Sequence, residues 1–209
     1  MNTKESLRLQ NVEESSTLAM AALAREYKSK GIDVISLSLG EPDFKTPSHI
    51  CEGAKDAIDS GNYFSYPPVP GYLDLREAIS QKFKNENNLS YTPSEVIVSN
   101  GVKHSITNVM FSILNKGDEV IVFAPFWVSY SAIITLADGV PKYINTTIEN
   151  DFKPTTSQLE EAISNKTKAV IFSSPCNPTG TVFTREELEG YRDVLENHPE
   201  IIVISDEIY

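Results

Sequence analysis

The sequence has 209 residues, of which 40% are hydrophobic and 22% are charged, the composition of an ordinary globular protein with room for a sizeable core. The formal net charge of −11 disfavours nucleic acid and anionic membrane surfaces as partners.

The cysteines and the N-terminus indicate the compartment. Cys51 and Cys176 are the only cysteines, and neither belongs to a CxxC motif or a Cys/His cluster, so we predict no disulfide framework and no metal site. The N-terminal MNTKESLRLQ lacks the apolar core of a signal peptide, and no apolar stretch reaches bilayer length. We therefore expect a soluble cytoplasmic protein without membrane contact.

The apolar residues alternate between helical and strand patterns along the chain. Helical spacing predicts helices over 13–30, 47–60 and 73–87, and later over 102–115, 126–137, 156–164 and 184–197. Short runs rich in Val and Ile predict strands over 95–99, 119–124, 140–144, 168–173 and 201–205. Short buried strands separated by helices are typical of an α/β fold with a mainly parallel sheet.

Distinctive residues follow four of these strands, where open α/β sheets bind their ligands. NGVKHS opens a helix at Gly101, and PFWVSY contains Trp127, the only tryptophan. SSPCNPTG places Asn177 between two prolines, and the last strand runs into Asp206 and Tyr209. Each feature alone also fits a simpler explanation, such as a strand-to-helix turn, a core tryptophan or a helix cap.

Together these residues match the groups of pyridoxal 5′-phosphate. Backbone amides at a helix N-terminus bind phosphate, and an indole is a platform for a planar ring. A buried carboxylate such as Asp206 suits the ring nitrogen, and the amide of Asn177 and the phenol of Tyr209 can donate to the phenolic oxygen. An ordinary nucleotide-binding domain is disfavoured because neither GxGxxG nor a Walker loop is present.

Six ordered motifs resemble the class I aminotransferases of the fold-type I pyridoxal-phosphate enzymes, with bacterial aspartate aminotransferases as the nearest branch. The motifs are LSLGEPDFKTP, Y-PPVPGYLDLREAI, VSNGVKHSI, APFWVSY, SSPCNPTG and SDEIY. The resemblance implies a three-layer α/β fold, with residues 1–45 as an N-terminal arm and part of the small domain. Residues 46–209 would be the first part of the large cofactor-binding domain.

The resemblance also implies roles for particular residues. Those implied to bind the cofactor are Tyr66, Gly101, Val102, Lys103, Trp127, Asn177, Asp206 and Tyr209, and those implied to bind substrate are Gly40, Trp127 and Asn177. Tyr66 would reach across a homodimer interface to the cofactor phosphate of the partner. Val102 stands where the family usually has Ala or a small hydroxyl residue, but its backbone amide is unaffected. Either Pro175 or Pro178 is a candidate for a cis peptide bond.

The implied activity is transfer of an amino group from an amino acid, with aspartate as the first candidate, to a 2-oxo acid. No catalytic residue is assigned within this chain, because the family's Schiff-base lysine is expected beyond Tyr209. We therefore expect the chain to be the N-terminal part of a longer protein and to be inactive alone. The alternatives are another fold-type I enzyme, such as a β-lyase or synthase, and a non-catalytic binding or dimerising module.

Overall fold

The computed structural model describes Lys4 and residues 6–12, 14–37, 40 and 43–209. The described chain forms two units. One comprises the described residues up to Ser15 together with Gly101–Tyr209, and the other is Ser16–Asn100. The predicted boundary between residues 45 and 46 is drawn for a whole protein of the family and stays a prediction.

The Ser16–Asn100 unit is built from helices. It contains α2 (Ser16–Ser29), α3 (Ser48–Ser60) and α4 (Leu73–Asn87), followed by a short 3₁₀ helix (Pro93–Glu95). These bounds confirm the predicted helices, and Glu13 lies outside the described residues. Gly61 and Asn88 adopt left-handed backbone conformations directly after α3 and α4, which ends each helix. Of the motif LSLGEPDFKTP, positions 38, 39, 41 and 42 also lie outside the described residues.

The other unit contains a parallel four-stranded sheet. Its strands are β1 (Glu119–Ala124), β2 (Val140–Asn145), β3 (Thr167–Ser173) and β4 (Ile202–Asp206), in the spatial order β2-β1-β3-β4. The helices are α1 (Leu7–Gln10), α5 (Val102–Ile113), α6 (Ser129–Leu136), α7 (Thr156–Ala162) and α8 (Arg185–Leu195), and a second 3₁₀ helix covers Ile148–Asn150. Capping boxes start α7 at Thr155 and α8 at Thr184.

Helices cover both faces of this sheet. On one face, α5 and α6 pack their apolar side chains on Val120, Val122 and Ile171. On the other face, α7 and α8 pack on Ile121 and Val170. Neighbouring strand residues thus enter opposite cores, because side chains alternate across a strand. The three-layer α/β arrangement expected from the sequence is confirmed in this unit.

One predicted strand is wrong. Residues 95–99 do not form a strand; Glu95 ends the 3₁₀ helix, and residues 96–99 have no ladder partner among the described residues. The amide of Val98 donates instead to the carbonyl of Pro70, at 3.0 Å. A Val/Ile run forms a strand only when a neighbouring strand accepts its backbone hydrogen bonds.

The strand order positions the candidate site. From β1 the chain moves to β2 on one side and then to β3 on the other, so the direction of winding changes between β1 and β3. In open α/β sheets the crevice at such a switch point, beyond the carboxyl ends of the strands, is the usual ligand site. No helix in the described part of the chain is both long enough and apolar enough to cross a membrane.

Candidate active site

A cavity of about 200 Å³ opens beyond the carboxyl ends of β1, β3 and β4. Its lining contains five residues predicted from the sequence, namely Val102, Trp127, Asn177, Asp206 and Tyr209. Tyr130, Ser173 and Ile208 complete the lining. Folding therefore brings residues from four separate sequence motifs to one place.

Asp206 is the buried charge of this cavity. It ends β4, stands opposite Ser173 in the sheet register and is 6% exposed. Its Oδ2 accepts a hydrogen bond of 2.6 Å from the hydroxyl of Tyr130, and its Oδ1 accepts a longer one of 3.3 Å from the amide of Ile208. Among the described residues, Asp206 forms no ion pair with a lysine, arginine or histidine.

Tyr130 is the site residue that the sequence analysis missed. It lies on the first turn of α6, is 1% exposed and packs edge-on against Trp127, with the ring centroids 5.6 Å apart. Burial, and then the hydrogen bond to Asp206 and its charge, raise the pKa of the Tyr130 phenol above its ordinary value. The phenol therefore remains a neutral donor at every physiological pH. The available signal was its spacing, three residues after Trp127 in PFWVSY.

Trp127 lies between β1 and α6 and has two surroundings. It packs partly against the core between the sheet and the helices α5 and α6, and it also lines the cavity, so its role as a platform for a planar ligand stays a prediction. The Nζ atom of Lys103 lies 5.1 Å from the centroid of its ring, within the range of a cation–π contact. This contact places the ammonium group of Lys103 beside a wall of the cavity.

The N-terminus of α5 forms another part of the site. Gly101 precedes the helix with φ of 83°, a left-handed backbone that favours glycine. Its carbonyl accepts from the amides of His104 and Ser105, whereas the amides of Val102 and Lys103 come before the first intrahelical bonds. With Val102 in the cavity lining, this helix end is suited to bind an anion.

The segment 174–181, here named the Asn177 loop, brings Asn177 to the cavity lining. The amide of Cys176 donates to the carbonyl of Thr181 at 2.8 Å, and the amide of Gly180 donates to that of Cys176 at 2.7 Å. The peptide bonds before Pro175 and Pro178 are both cis, as is that before Pro125. Asn177 is half-buried in the cavity lining.

Four predicted site residues are not part of this cavity's lining, and two of them, Gly101 and Lys103, flank Val102 at the start of α5. Gly40 and Tyr66 belong to the Ser16–Asn100 unit, and the side chain of Tyr66 is fully exposed. Their predicted roles at the substrate and at a partner's phosphate stay predictions. Tyr209 does line the cavity, although 71% of its surface is exposed.

The sequence profile described as "Aminotransferase class I and II" matches residues 32–209. The chain belongs to this family, and its fold is that of the fold-type I aminotransferases. Class I aminotransferases depend on pyridoxal phosphate.

Individual relatives and solved structures show how similar the chain is to named aminotransferases. The chain is 50% identical over 203 residues to the aspartate aminotransferase of Bacillus sp. strain YM-2, covering 97% of this chain and 51% of the relative. It is 46% identical over 204 residues to a probable aspartate/prephenate aminotransferase of Rickettsia felis. Aspartate aminotransferase of Thermus thermophilus, solved with maleate, superimposes with a TM-score of 0.94 at 42% identity, over 99% of this chain and 54% of that one. The chain thus spans about half the length of the relatives it matches.

Proposed function

We propose that the whole protein containing this chain is a pyridoxal-phosphate-dependent aminotransferase, which moves an amino group from an amino acid to a 2-oxo acid. The observation that carries this proposal is Asp206, a buried carboxylate in the lining of a cavity, with hydrogen-bond donors but no cationic partner among the described residues. Burying a charge is unfavourable unless a counter-charge or several donors compensate it.

A protonated pyridine nitrogen fits that requirement. Asp206 lines the cavity, where its carboxylate can pair with a cation. The hydrogen bond from the hydroxyl of Tyr130 holds that carboxylate in place. Bound pyridoxal phosphate supplies an electron-withdrawing ring that weakens the bonds at the α-carbon of an amino acid. The task of Asp206 is to hold a proton on the ring nitrogen, where the positive charge strengthens that withdrawal.

The remaining cofactor contacts follow from the lining. The amides at Gly101, Val102 and Lys103 would bind the phosphate at the N-terminus of α5, and the indole of Trp127 would cover one ring face. Asn177 and Tyr209 would donate to the phenolic oxygen. A lysine outside this chain would form the covalent bond to the cofactor.

Substrate and subunit contacts extend the same proposal. Gly40, Trp127 and Asn177 would bind the substrate, and Tyr66 would reach the phosphate of the partner in a homodimer. The fully exposed ring of Tyr66 is compatible with that role. The free thiols of Cys51 and Cys176 support a location in the reducing cytoplasm.

The relatives suggest which substrates to assay first. The relative from Nitrosomonas europaea is named an aspartate/prephenate aminotransferase, and that from Rickettsia felis a probable one. The Thermus enzyme was solved with maleate, a four-carbon dicarboxylate. We propose L-aspartate as the amino donor and prephenate or another 2-oxo acid as the acceptor.

Half-reactions of the whole protein test this function. The protein is loaded with pyridoxal phosphate, L-aspartate is added, and the visible absorption of the cofactor should disappear and return on addition of a 2-oxo acid. A β-lyase or synthase would convert donor without needing an acceptor, and a binding module would show no spectral response. Asp193→Asn, on the exposed face of α8, is the matched control for Asp206→Asn, and only the latter should abolish turnover.

A further inference from the structure

We propose that the turn at residues 151–153 is a positioning device for the Asn177 loop. Here "the 151–153 turn" denotes these three residues, which follow the 3₁₀ helix Ile148–Asn150. The role assigned to Asn177 rests on the proposed function, but the anchoring of its loop is a property of this chain alone.

The anchor is a hydrogen bond from a buried side chain. Thr181 is 8% exposed, and its hydroxyl donates to the backbone carbonyl of Asp151 at 3.1 Å. The carbonyl of Thr181 accepts from the amide of Cys176, which closes the loop around Asn177. A fixed Thr181 therefore fixes both sides of the segment that carries the Asn177 amide.

The backbone of the 151–153 turn is unusual. Asp151 and Phe152 both adopt left-handed conformations, with φ of 52° and 54°, and such values are unfavourable for a bulky residue such as phenylalanine. Strained backbone that persists in a folded protein is often found at functional sites. Phe152 lines a cavity of only about 10 Å³ together with Tyr130, Cys176 and Thr181, so the turn borders two residues of the Asn177 loop and one residue of the active-site cavity.

Lys153 ties the turn to the segment after the loop. Its Nζ lies 3.0 Å from each carboxylate oxygen of Glu187 and 3.5 Å from Oδ2 of Asp151, and its side chain is 13% exposed. Glu187 also accepts from the amide of Thr184 at 2.7 Å, three residues after Thr181. One cation thus links the turn to the start of α8.

Together these contacts hold the Asn177 loop from outside the cavity. Thr181, Asp151 and Lys153 determine the position of the loop within this unit. In the proposed function, Asn177 donates a hydrogen bond to a single atom of the bound ring. Such a bond depends on support of the loop, because small displacements of the donor weaken it.

Hydrogen exchange of the whole protein without cofactor tests the anchor. In Thr181→Val, the hydrogen-bonded amides of Cys176, Gly180 and Thr181 should exchange about three- to tenfold faster, while the melting temperature and exchange elsewhere stay near wild type. Thr181→Ser keeps the hydroxyl and should exchange like wild type. Unchanged local exchange in Thr181→Val, or acceleration spread evenly over the protein, would overturn the proposal.

A second variant covers the case in which Thr181→Val fails to fold. Lys153→Met should accelerate exchange in the same segment, and its control Arg185→Met, which removes an exposed ion pair on α8, should not. Equal exchange in the two methionine variants would contradict the role of Lys153.

The dissociation constant of pyridoxal phosphate then tests the purpose of the anchor. In the whole protein it should rise about three- to tenfold in Thr181→Val and return in Thr181→Ser. If wild type binds the cofactor and Thr181→Val binds it equally well, the proposed positioning of Asn177 is refuted. If wild type does not bind it at all, the proposed function fails, and the exchange data alone still decide whether the turn anchors the loop.

Discussion

The hydroxyl of Tyr130, at the start of α6, donates a hydrogen bond of 2.6 Å to Oδ2 of Asp206, at the end of β4. The two residues are 76 positions apart in the sequence and are both almost fully buried. This contact joins a helix on one face of the sheet to the carboxylate in the cavity, so the electrostatics of the site depend on how α6 packs.

Replacing Tyr130 with phenylalanine tests that dependence. The variant keeps the ring but removes the donor, so the free energy of unfolding should fall by about 1.5–3 kcal/mol, the range for hydrogen bonds to charged groups. We expect kcat of the whole protein to fall about tenfold or more, because Asp206 loses its best-placed support. Urea denaturation and steady-state rates measure the two effects. Tyr143→Phe, at a half-exposed tyrosine, is the control, and equal kcat in both variants would contradict this account.

The buried phenols of Tyr130 and Tyr191 predict how the free energy of unfolding changes at alkaline pH. Burial raises the pKa of both Tyr130 and Tyr191 above the ordinary value of 10, with the charge of Asp206 adding to it at Tyr130 and that of Glu187 at Tyr191. Above pH 10 the unfolded chain loses these protons while the folded chain keeps them, so stability falls as pH rises.

Each phenol should contribute a loss of about 1.4 kcal/mol per pH unit above pH 10. Tyr130→Phe and Tyr191→Phe should therefore each reduce the pH dependence of the unfolding free energy by that amount. Urea denaturation between pH 9 and 11 measures it. Curves for the variants that run parallel to wild type would show that the two phenols ionise equally easily in the folded and unfolded chain.

Most elements of the fold could be predicted from the sequence because their patterns are local. β1 to β4 appear within one or two residues of the predicted bounds, since short runs rich in Val and Ile and helical spacing reflect burial directly. The run at 95–99 failed because a strand also requires a hydrogen-bonded neighbour, which local pattern does not reveal. Val98 bonds to Pro70 instead.

Part of the candidate site could also be predicted from the sequence. Trp127, Asn177 and Asp206 follow strands, and parallel strands bring their carboxyl ends to one edge, so these residues could be grouped in advance. Tyr130 and Thr181 were not grouped with them, because their hydrogen-bond partners lie 76 and 30 positions away, and the only local indication was the spacing of Tyr130 from Trp127. Contacts of this kind depend on packing rather than on any repeating pattern.

Glycine substitutions test the backbone of the Ser16–Asn100 unit, which contains Tyr66. Gly71 has φ of 97°, and a Cβ at this position would lie 2.8 Å from Cβ and Cγ2 of Val98. Gly71→Ala should therefore lower the free energy of unfolding by about 1–3 kcal/mol. Gly53→Ala, within α3 and in open space, is the control and should raise it by about 0.5–1 kcal/mol. Equal effects in thermal or urea denaturation would show that Gly71 is not under steric constraint.

The central claim, that Asp206 is the counter-charge of the cofactor's ring nitrogen, is tested most directly by ¹⁵N NMR. The whole protein is loaded with pyridoxal phosphate labelled at that nitrogen, and wild type is compared with Asp206→Asn and the surface control Asp193→Asn. We predict a protonated-pyridine shift in wild type and in the control, and a neutral-pyridine shift in Asp206→Asn. A protonated nitrogen in all three proteins would contradict the assignment of Asp206.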